Sequence, residues 1–140
     1  FFQYFGKKLT VNLTRALLLA VSRGLEDIVL LFYQCCGDRI TFDDIDFNIG
    51  FAAVLSDNFR CLGLIDECWG SRFNINQKTR HGATILMHLA QKNDLSALQK
   101  LHEIFGDRLD FQLKDAANND ALSYASDTAC IDFILKFLKK

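Results

Sequence analysis

Residues 86–106 read LMHLAQKNDLSALQKLHEIFG. The apolar segment Ile85–Ala90 runs into a polar break, QKND at 91–94. Beyond it Leu95, Leu98 and Leu101 recur at the three-residue spacing that places side chains on one face of a helix. Gly106 closes the run. The stretch therefore predicts two short helices joined by a turn and stopped by a glycine.

The same design recurs on both sides. Ahead of it, Ala16–Val21 leads to a face of Leu25, Ile28, Val29 and Phe32 and to Gly37, and Gly50–Leu55 leads to Leu62, Ile65, Trp69 and Gly70. Behind it, Ala121–Ala125 pairs with Ile131–Leu138. From Leu17 to Gly37, Gly50 to Gly70 and Leu86 to Gly106 the distance is 20 positions each time. From each glycine to the next inner helix it varies: 11 from Gly6 to Leu17, 13 from Gly37 to Gly50, then 16 from Gly70 to Leu86 and 16 from Gly106 to Leu122. Helices that share a stacked core must keep their length, whereas solvated connections tolerate change.

Each glycine opens a repeated segment: Gly6–Asn12 (GKKLTVN), Gly37–Asp43 (GDRITFD), Gly70–Asn76 (GSRFNIN) and Gly106–Gln112 (GDRLDFQ). The glycine suits the left-handed position just past a helix end. The Lys or Arg two residues on suits the unpaired carbonyls there.

At this point the third unit, NINQKTRHGATILMHLA at 74–90 with NDLSALQKL at 93–101, resembles the ankyrin-repeat pattern D-V-N-A-x-D-x-x-G-x-T-P-L-H-x-A-A followed by G-H-L-E-I-V-K-L-L. The fourth, DFQLKDAANNDALSYA at 110–125 with IDFILKFL at 131–138, matches in the same register, and the first keeps the helix pair in ALLLAVSRGLEDIV at 16–29. The second, around Asp43 to Ile65, is the most divergent. The chain has no Pro, so the T-P-L-H signature is nowhere complete, and its His position holds Leu18, Phe51, Met87 and Ser123. The resemblance implies an all-α ankyrin-repeat solenoid of about four stacked helix–turn–helix units with short hairpin or loop connections. It spans residues 1–140 as one domain with approximate units 9–37, 40–70, 73–106 and 109–140. Residues 1–8 then read as the tail of a preceding helix, and the chain as a piece of a longer protein.

Composition agrees with a compact module. Half the residues are hydrophobic and the net charge is −1, from 16 basic against 17 acidic residues. No polybasic stretch calls for nucleic acid or an anionic membrane surface. The longest aliphatic run, Ala16 to Val21, is six residues, against roughly 20 for a membrane span. The five cysteines, Cys35, Cys36, Cys61, Cys68 and Cys130, are odd in number and form no C-x-x-C. Free thiols in a reducing compartment, the cytoplasm, account for them. The degenerate repeats and the Phe-, Asn-, Asp- and Lys-leaning composition resemble ankyrin effectors that intracellular bacteria deliver into a host cell.

The family binds proteins through hairpin tips and the ends of inner helices. On matching positions the tips are Asp44, Ile45 and Phe47, then Arg80 and His81, then Ala116 and Asn119; the helix ends add Ser22, Arg23, Gln91 and Lys92. Ile45 and Phe47, flanked by acids, are the apolar anchor candidates, or else fold inward over the core. The acidic tip Asp43, Asp44 and Asp46 faces basic Lys78, Arg80 and His81 in the next, which allows self-pairing or a partner of mixed charge. The implied function is a protein–protein interaction module, monomeric, for a protein partner, with no cofactor, metal or catalysis. The alternative is a spacer or substrate-docking arm for an enzymatic domain outside this segment.

Other chemistry finds little support. Asp44–Asn48 starts like a calcium loop, but its sixth position is Ile49 instead of Gly and its twelfth Leu55 instead of Glu. Cysteines with His81, His88 and His102 could in principle form a thiol hydrolase, yet no local signature accompanies them. Asn12-Leu13-Thr14 is a glycosylation sequon without consequence in the cytosol. Asn76 takes the hairpin position that asparaginyl hydroxylases modify in some ankyrin proteins.

Overall fold

The computed structural model describes residues 13–42 and 48–138. The Gly6–Asn12 segment, the residues read as a preceding helix tail, and the acidic tip with Asp44, Ile45 and Phe47 lie outside them. The chain divides into two compact units, residues 1–74 and 75–140. Among the described residues every regular element is helical, so the protein is all-α.

The first unit holds α1 (residues 13–22), α2 (Glu26–Cys36), α3 (Ile49–Leu55) and α4 (Phe59–Trp69). The second holds α5 (Ile85–Gln91), α6 (Leu95–Phe105), α7 (Ala121–Tyr124) and α8 (Thr128–Leu138). Short inner helices alternate with outer helices of 11 residues. In the first unit α2 packs on α4; in the second α5 packs on α7 and α6 on α8.

The constant helix-pair length has a visible cause in the turn between inner and outer helix. Gly24, Asp57 and Asn93 all adopt left-handed backbone, with φ of 69°, 59° and 54°. Around each, two bonds repeat. Gly24 N donates to Val21 O and Leu25 N to Ala20 O; Asp57 N donates to Val54 O and Asn58 N to Ala53 O; Asn93 N donates to Ala90 O and Asp94 N to Leu89 O. This is the Schellman arrangement, which satisfies the last carbonyls of the inner helix. A residue added here would break both bonds.

Side chains start the inner helices. Asn48 accepts from Phe51 N at 3.1 Å and Asp120 from Ser123 N at 3.0 Å, while buried Thr84 accepts from Met87 N at 3.4 Å. Apolar residues at helical spacing then fill the core. Leu62 and Ile65 on α4, and Leu98 and Leu101 on α6, are fully buried. Each is worth roughly 1.5–3 kcal/mol relative to exposure.

The outer helices end in 3₁₀ turns at Gly37–Arg39, Gly70–Arg72 and Gly106–Arg108. Gly70 and Gly106 are left-handed, φ 56° and 57°, as expected of a helix stop. Gly37 corrects that expectation, because its φ is −54°. There the requirement is space: a Cβ would sit 2.9 Å from the Tyr33 ring. The carbonyl of Gly37 also accepts from Trp69 Nε1 at 2.9 Å and Arg72 Nη1 at 3.1 Å. Arg72 corrects a second expectation, since it reaches the preceding connection instead of its own helix end, with Nη2 donating to Ile40 O at 2.6 Å. Arg108 does turn to its own helix, donating to Phe105 O at 3.4 Å and lying over the Phe105 ring.

The alternating segments that follow are not strands. Their apolar members Ile40 and Phe42, Phe73 and Ile75, and Leu109 and Phe111 are buried, and the intervening Thr41, Asn74 and Asp110 are exposed. Phe42 meets Trp69 and Phe73 edge-on at 5.5 Å in each case. No helix among the described residues is long and apolar enough to cross a membrane.

Candidate functional site

In the second unit the connections end in two tips of the same construction. Gly82 N donates to Thr79 O at 2.9 Å, and Asn118 N donates to Asp115 O at 3.0 Å. The fourth residue of each tight turn is left-handed, Gly82 at φ 79° and Asn118 at 65°. Thr79 N donating to Ala83 O, and Asp115 N to Asn119 O, close each turn at its base. Arg80 and His81 occupy the two corner positions of the first tip and are exposed.

The two tips are tied together. Ala116 N donates to His81 O at 3.1 Å and Lys78 Nζ to Lys114 O at 2.9 Å. Below them, Asn76 Nδ2 donates to Arg108 O at 2.8 Å while its Oδ1 accepts from Asp110 N at 3.1 Å. Both ends of the Asn76 amide thus bridge successive connections, a structural task for the residue singled out as a hydroxylation position.

Asp115 organises the second tip. Its Oδ1 accepts from Ala117 N and Asn119 N, each at 2.9 Å, and its Oδ2 accepts from the Tyr124 hydroxyl. The Tyr124 bond, followed by the Asn119 N–H, holds the Asp115 carboxyl below its ordinary pKa. Asn119 is half-buried, with its backbone N–H and carbonyl both engaged with Asp115, whereas Arg80 and His81 are exposed.

At the inner-helix ends Arg23, Gln91 and Lys92 are exposed and Ser22 is half-buried. The Ser22 carbonyl accepts from Asn58 Nδ2 at 3.1 Å, and that amide also donates to Val21 O at 2.9 Å. Asn93 plays the corresponding part in the second unit. Its Nδ2 donates to Ser126 Oγ at 2.9 Å, and its Oδ1 accepts from Ser126 N and Asp127 N. Of the sequence-predicted residues, the first unit brings together Ser22 and Arg23. The second brings Arg80 and His81 onto one tip and Gln91 and Lys92 onto one helix end.

Two residues escaped sequence reasoning. Leu19 on α1 and Leu55 on α3 are 59% and 56% exposed, more than any other large apolar side chain among the described residues. Counting two back from Gly24, Asp57 and Asn93 aligns Ser22, Leu55 and Gln91; counting five back aligns Leu19, Ala52 and His88. The repeat register was therefore the signal. It puts Leu55 at the same position as Ser22 and Gln91, with an apolar side chain where both of those are polar. His88 is half-buried, and burial, then Lys92, lowers its pKa.

Burial pushes the thiols of Cys36, Cys61, Cys68 and Cys130 above their ordinary pKa, away from the reactive thiolate. Among the described residues no group of His, Cys, Asp and Glu gathers as a metal site would require. No family model, curated protein or solved structure matches the chain.

Proposed function

We propose that this chain is built of ankyrin-like helix pairs and holds a protein partner, as a monomer, through the exposed ends of its inner helices and its hairpin tips. Three things support the repeat reading. The turns at Gly24, Asp57 and Asn93 share their bonds; Asn58 and Asn93 both tie one helix pair to the next within their unit; and the two tips repeat 36 residues apart, from Gly82 to Asn118.

The exposure of Leu19 and Leu55 is the observation that carries the binding reading. Leucines left in water on a rigid helix offer hydrophobic free energy to whatever covers them, roughly 25 cal/mol per Å² of apolar area. Arg23, four residues beyond Leu19 and exposed, supplies a polar contact that fixes orientation without desolvating a charge inside the core.

A photo-reactive amino acid placed singly at position 55, at position 80 and at position 99 tests this in cells. Gln99 is exposed on the outer helix α6 and serves as the control. The reading expects a protein partner to be captured from position 55 and from position 80, each taken by itself, and none from 99. Arg80→Glu should then weaken that partner's affinity while leaving the thermal midpoint unchanged. Capture from position 99 alone would contradict the assignment.

A further inference from the structure

The exposed apolar residues of the first unit fall on two surfaces of different charge. Periodicity put Leu25, Ile28, Val29 and Phe32 on the core face of α2, yet only Val29 is buried. Leu25, Ile28, Leu30, Leu31 and Tyr33 are left in water there, and the charges within that helix are Glu26 and Asp27. Leu19 and Leu55 lie on the inner helices instead. Residues 13–24 hold Arg15 and Arg23 and no acid, and residues 48–58 hold one acid, Asp57, and no base. The segregation recurs along the chain. Helices α2, α4, α6 and α8 contain Glu26 and Asp27, Asp66 and Glu67, Glu103, and Asp132, whereas the described residues of α1, α3, α5 and α7 include no Asp or Glu. Burial of the inner helices thins out charges of both signs. Yet each Asp, Glu, Lys or Arg on a described inner helix, or on the residue directly after it, is basic and exposed: Arg15, Arg23 and Lys92. The helix dipole favours a cation at the last turn, which covers Arg23 and Lys92 but not Arg15, about two turns further back.

Asn58 joins the two inner helices of the first unit at this face. Its Nδ2 donates to Val21 O and Ser22 O, so the end of α1 lies against the turn that follows α3. The shared turn register aligns Leu19 with Ala52 and Ser22 with Leu55. Each leucine is therefore matched by a small, half-buried residue on the other helix. Arg15, Leu19 and Arg23 recur every four residues and are all exposed, which makes one ridge of α1 that reads cation, apolar, cation. From the first cation to the second is eight residues, about 12 Å of helix and the reach of about four extended residues.

We infer that the Leu19–Leu55 face takes an acidic segment of its protein partner, in which an apolar residue is bracketed by carboxylates about four residues apart. The inference names the partner chemistry of the binding reading above and rests on that reading. Charge complementarity selects this occupant. A carboxylate on each side of an apolar residue matches the Arg15–Leu19–Arg23 ridge in sign and in spacing, whereas a basic or wholly apolar segment sets like charge or hydrocarbon against the guanidinium groups. A second copy offers α2, which is acidic and apolar, but that contact is head-to-tail and runs on into open filaments. A separate acidic segment leaves the chain single.

The test is selection of a displayed library of random peptides on the chain, with counter-selection on a variant carrying Leu19→Ser and Leu55→Ser, which removes the leucines and leaves the charge unchanged. The peptides retained should carry an apolar residue with Asp or Glu on both sides. As synthetic peptides they should bind at least about fivefold more weakly to Arg23→Glu, chiefly through slower association, and should lose affinity as salt rises. Arg23→Lys should keep most of the binding, and both variants should hold the thermal midpoint within about 2 °C. Leucine-dependent peptides without an excess of Asp or Glu, or with an affinity indifferent to Arg23→Glu, would overturn the inference and leave the binding reading standing. A selection that yields no leucine-dependent peptide would overturn both. Two further results would overturn the inference by assigning the face to another occupant. One is binding to phosphatidylserine vesicles that is lost in the double serine variant. The other is self-association of the chain that is lost in Arg23→Glu and again in Asp27→Lys.

Discussion

At Gly24, Asp57 and Asn93 the chain reverses inside a helix pair through the same two backbone bonds, whereas between pairs it takes connections whose length changes along the chain. The two kinds of reversal also differ in what holds them. The inner turn is fixed by backbone geometry and by an asparagine, Asn58 or Asn93, that reaches a neighbouring pair. The tips of the second unit are closed by their own turns and display Arg80 and His81 to solvent. The difference teaches where variation is cheap. A turn bonded on two sides cannot change length without unseating two helix pairs, while a tip can change its residues and keep its base. The tips can therefore carry binding residues beside those on the exposed inner helices.

Breaking the inner turn should have the larger effect. Gly24→Ala forces a side chain onto a φ of 69° and brings its Cβ to 2.7 Å from Asn58 Oδ1. Asn58 must then swing away and release the carbonyls of Val21 and Ser22. The backbone strain and the lost bonds together cost about 2–4 kcal/mol in chemical denaturation. The pair is coupled, so Gly24→Ala with Asn58→Ala should cost clearly less than the sum of the two single changes. Simple additivity would show that Asn58 is not the residue that the new methyl displaces.

The corresponding change in a tip should be smaller and confined. Gly82→Ala places a Cβ 3.0 Å from Ala116 N, at a φ of 79°. It should cost about 1–2 kcal/mol, read as faster amide exchange at Ala116, with the α6 amides unchanged. Exchange accelerating equally throughout α6 would mean that the tip is part of the core after all.

A milder perturbation sharpens the same point. The folded Asp115 carboxyl lies below its ordinary pKa, chiefly through Tyr124 and next through the Asn119 N–H. A depressed acid contributes order that is complete above its unfolded value and is lost as pH falls through the folded one. Below about pH 4 the Ala117 and Asn119 amides should therefore shift with the titration of Asp115, and Asp115→Asn should abolish that titration. Amides that shift only with global acid unfolding would remove Asp115 from its organising role.

Much of this architecture was legible in the residues, for definite reasons. Alternating burial at Ile40 and Phe42, or at Leu109 and Phe111, follows from period-two patterning, and the left-handed stops at Gly70 and Gly106 follow from steric limits on φ. Gly37 was not legible in the same way, because a glycine demanded by the Tyr33 ring looks identical in sequence to one demanded by φ. Periodicity also places Ile28 on a helix face without saying whether a neighbour covers it, so an apolar stripe was read as core. Leu19 was hidden for a related reason. It lies in a run of six consecutive apolar residues, 16–21, which no single helix face can bury. Arg72 needed the fold, since its acceptors at Gly37 and Ile40 lie more than 30 residues away.

The most direct test of the account is the affinity of a partner captured at position 55 for a variant carrying Leu19→Asp and Leu55→Asp, measured beside the unmodified chain. Both leucines are already in water, so the thermal midpoint should move by no more than about 2 °C. The account predicts a loss of affinity of about tenfold or more, the scale of an apolar contact at the centre of an interface. Unchanged affinity with an unchanged midpoint would contradict it.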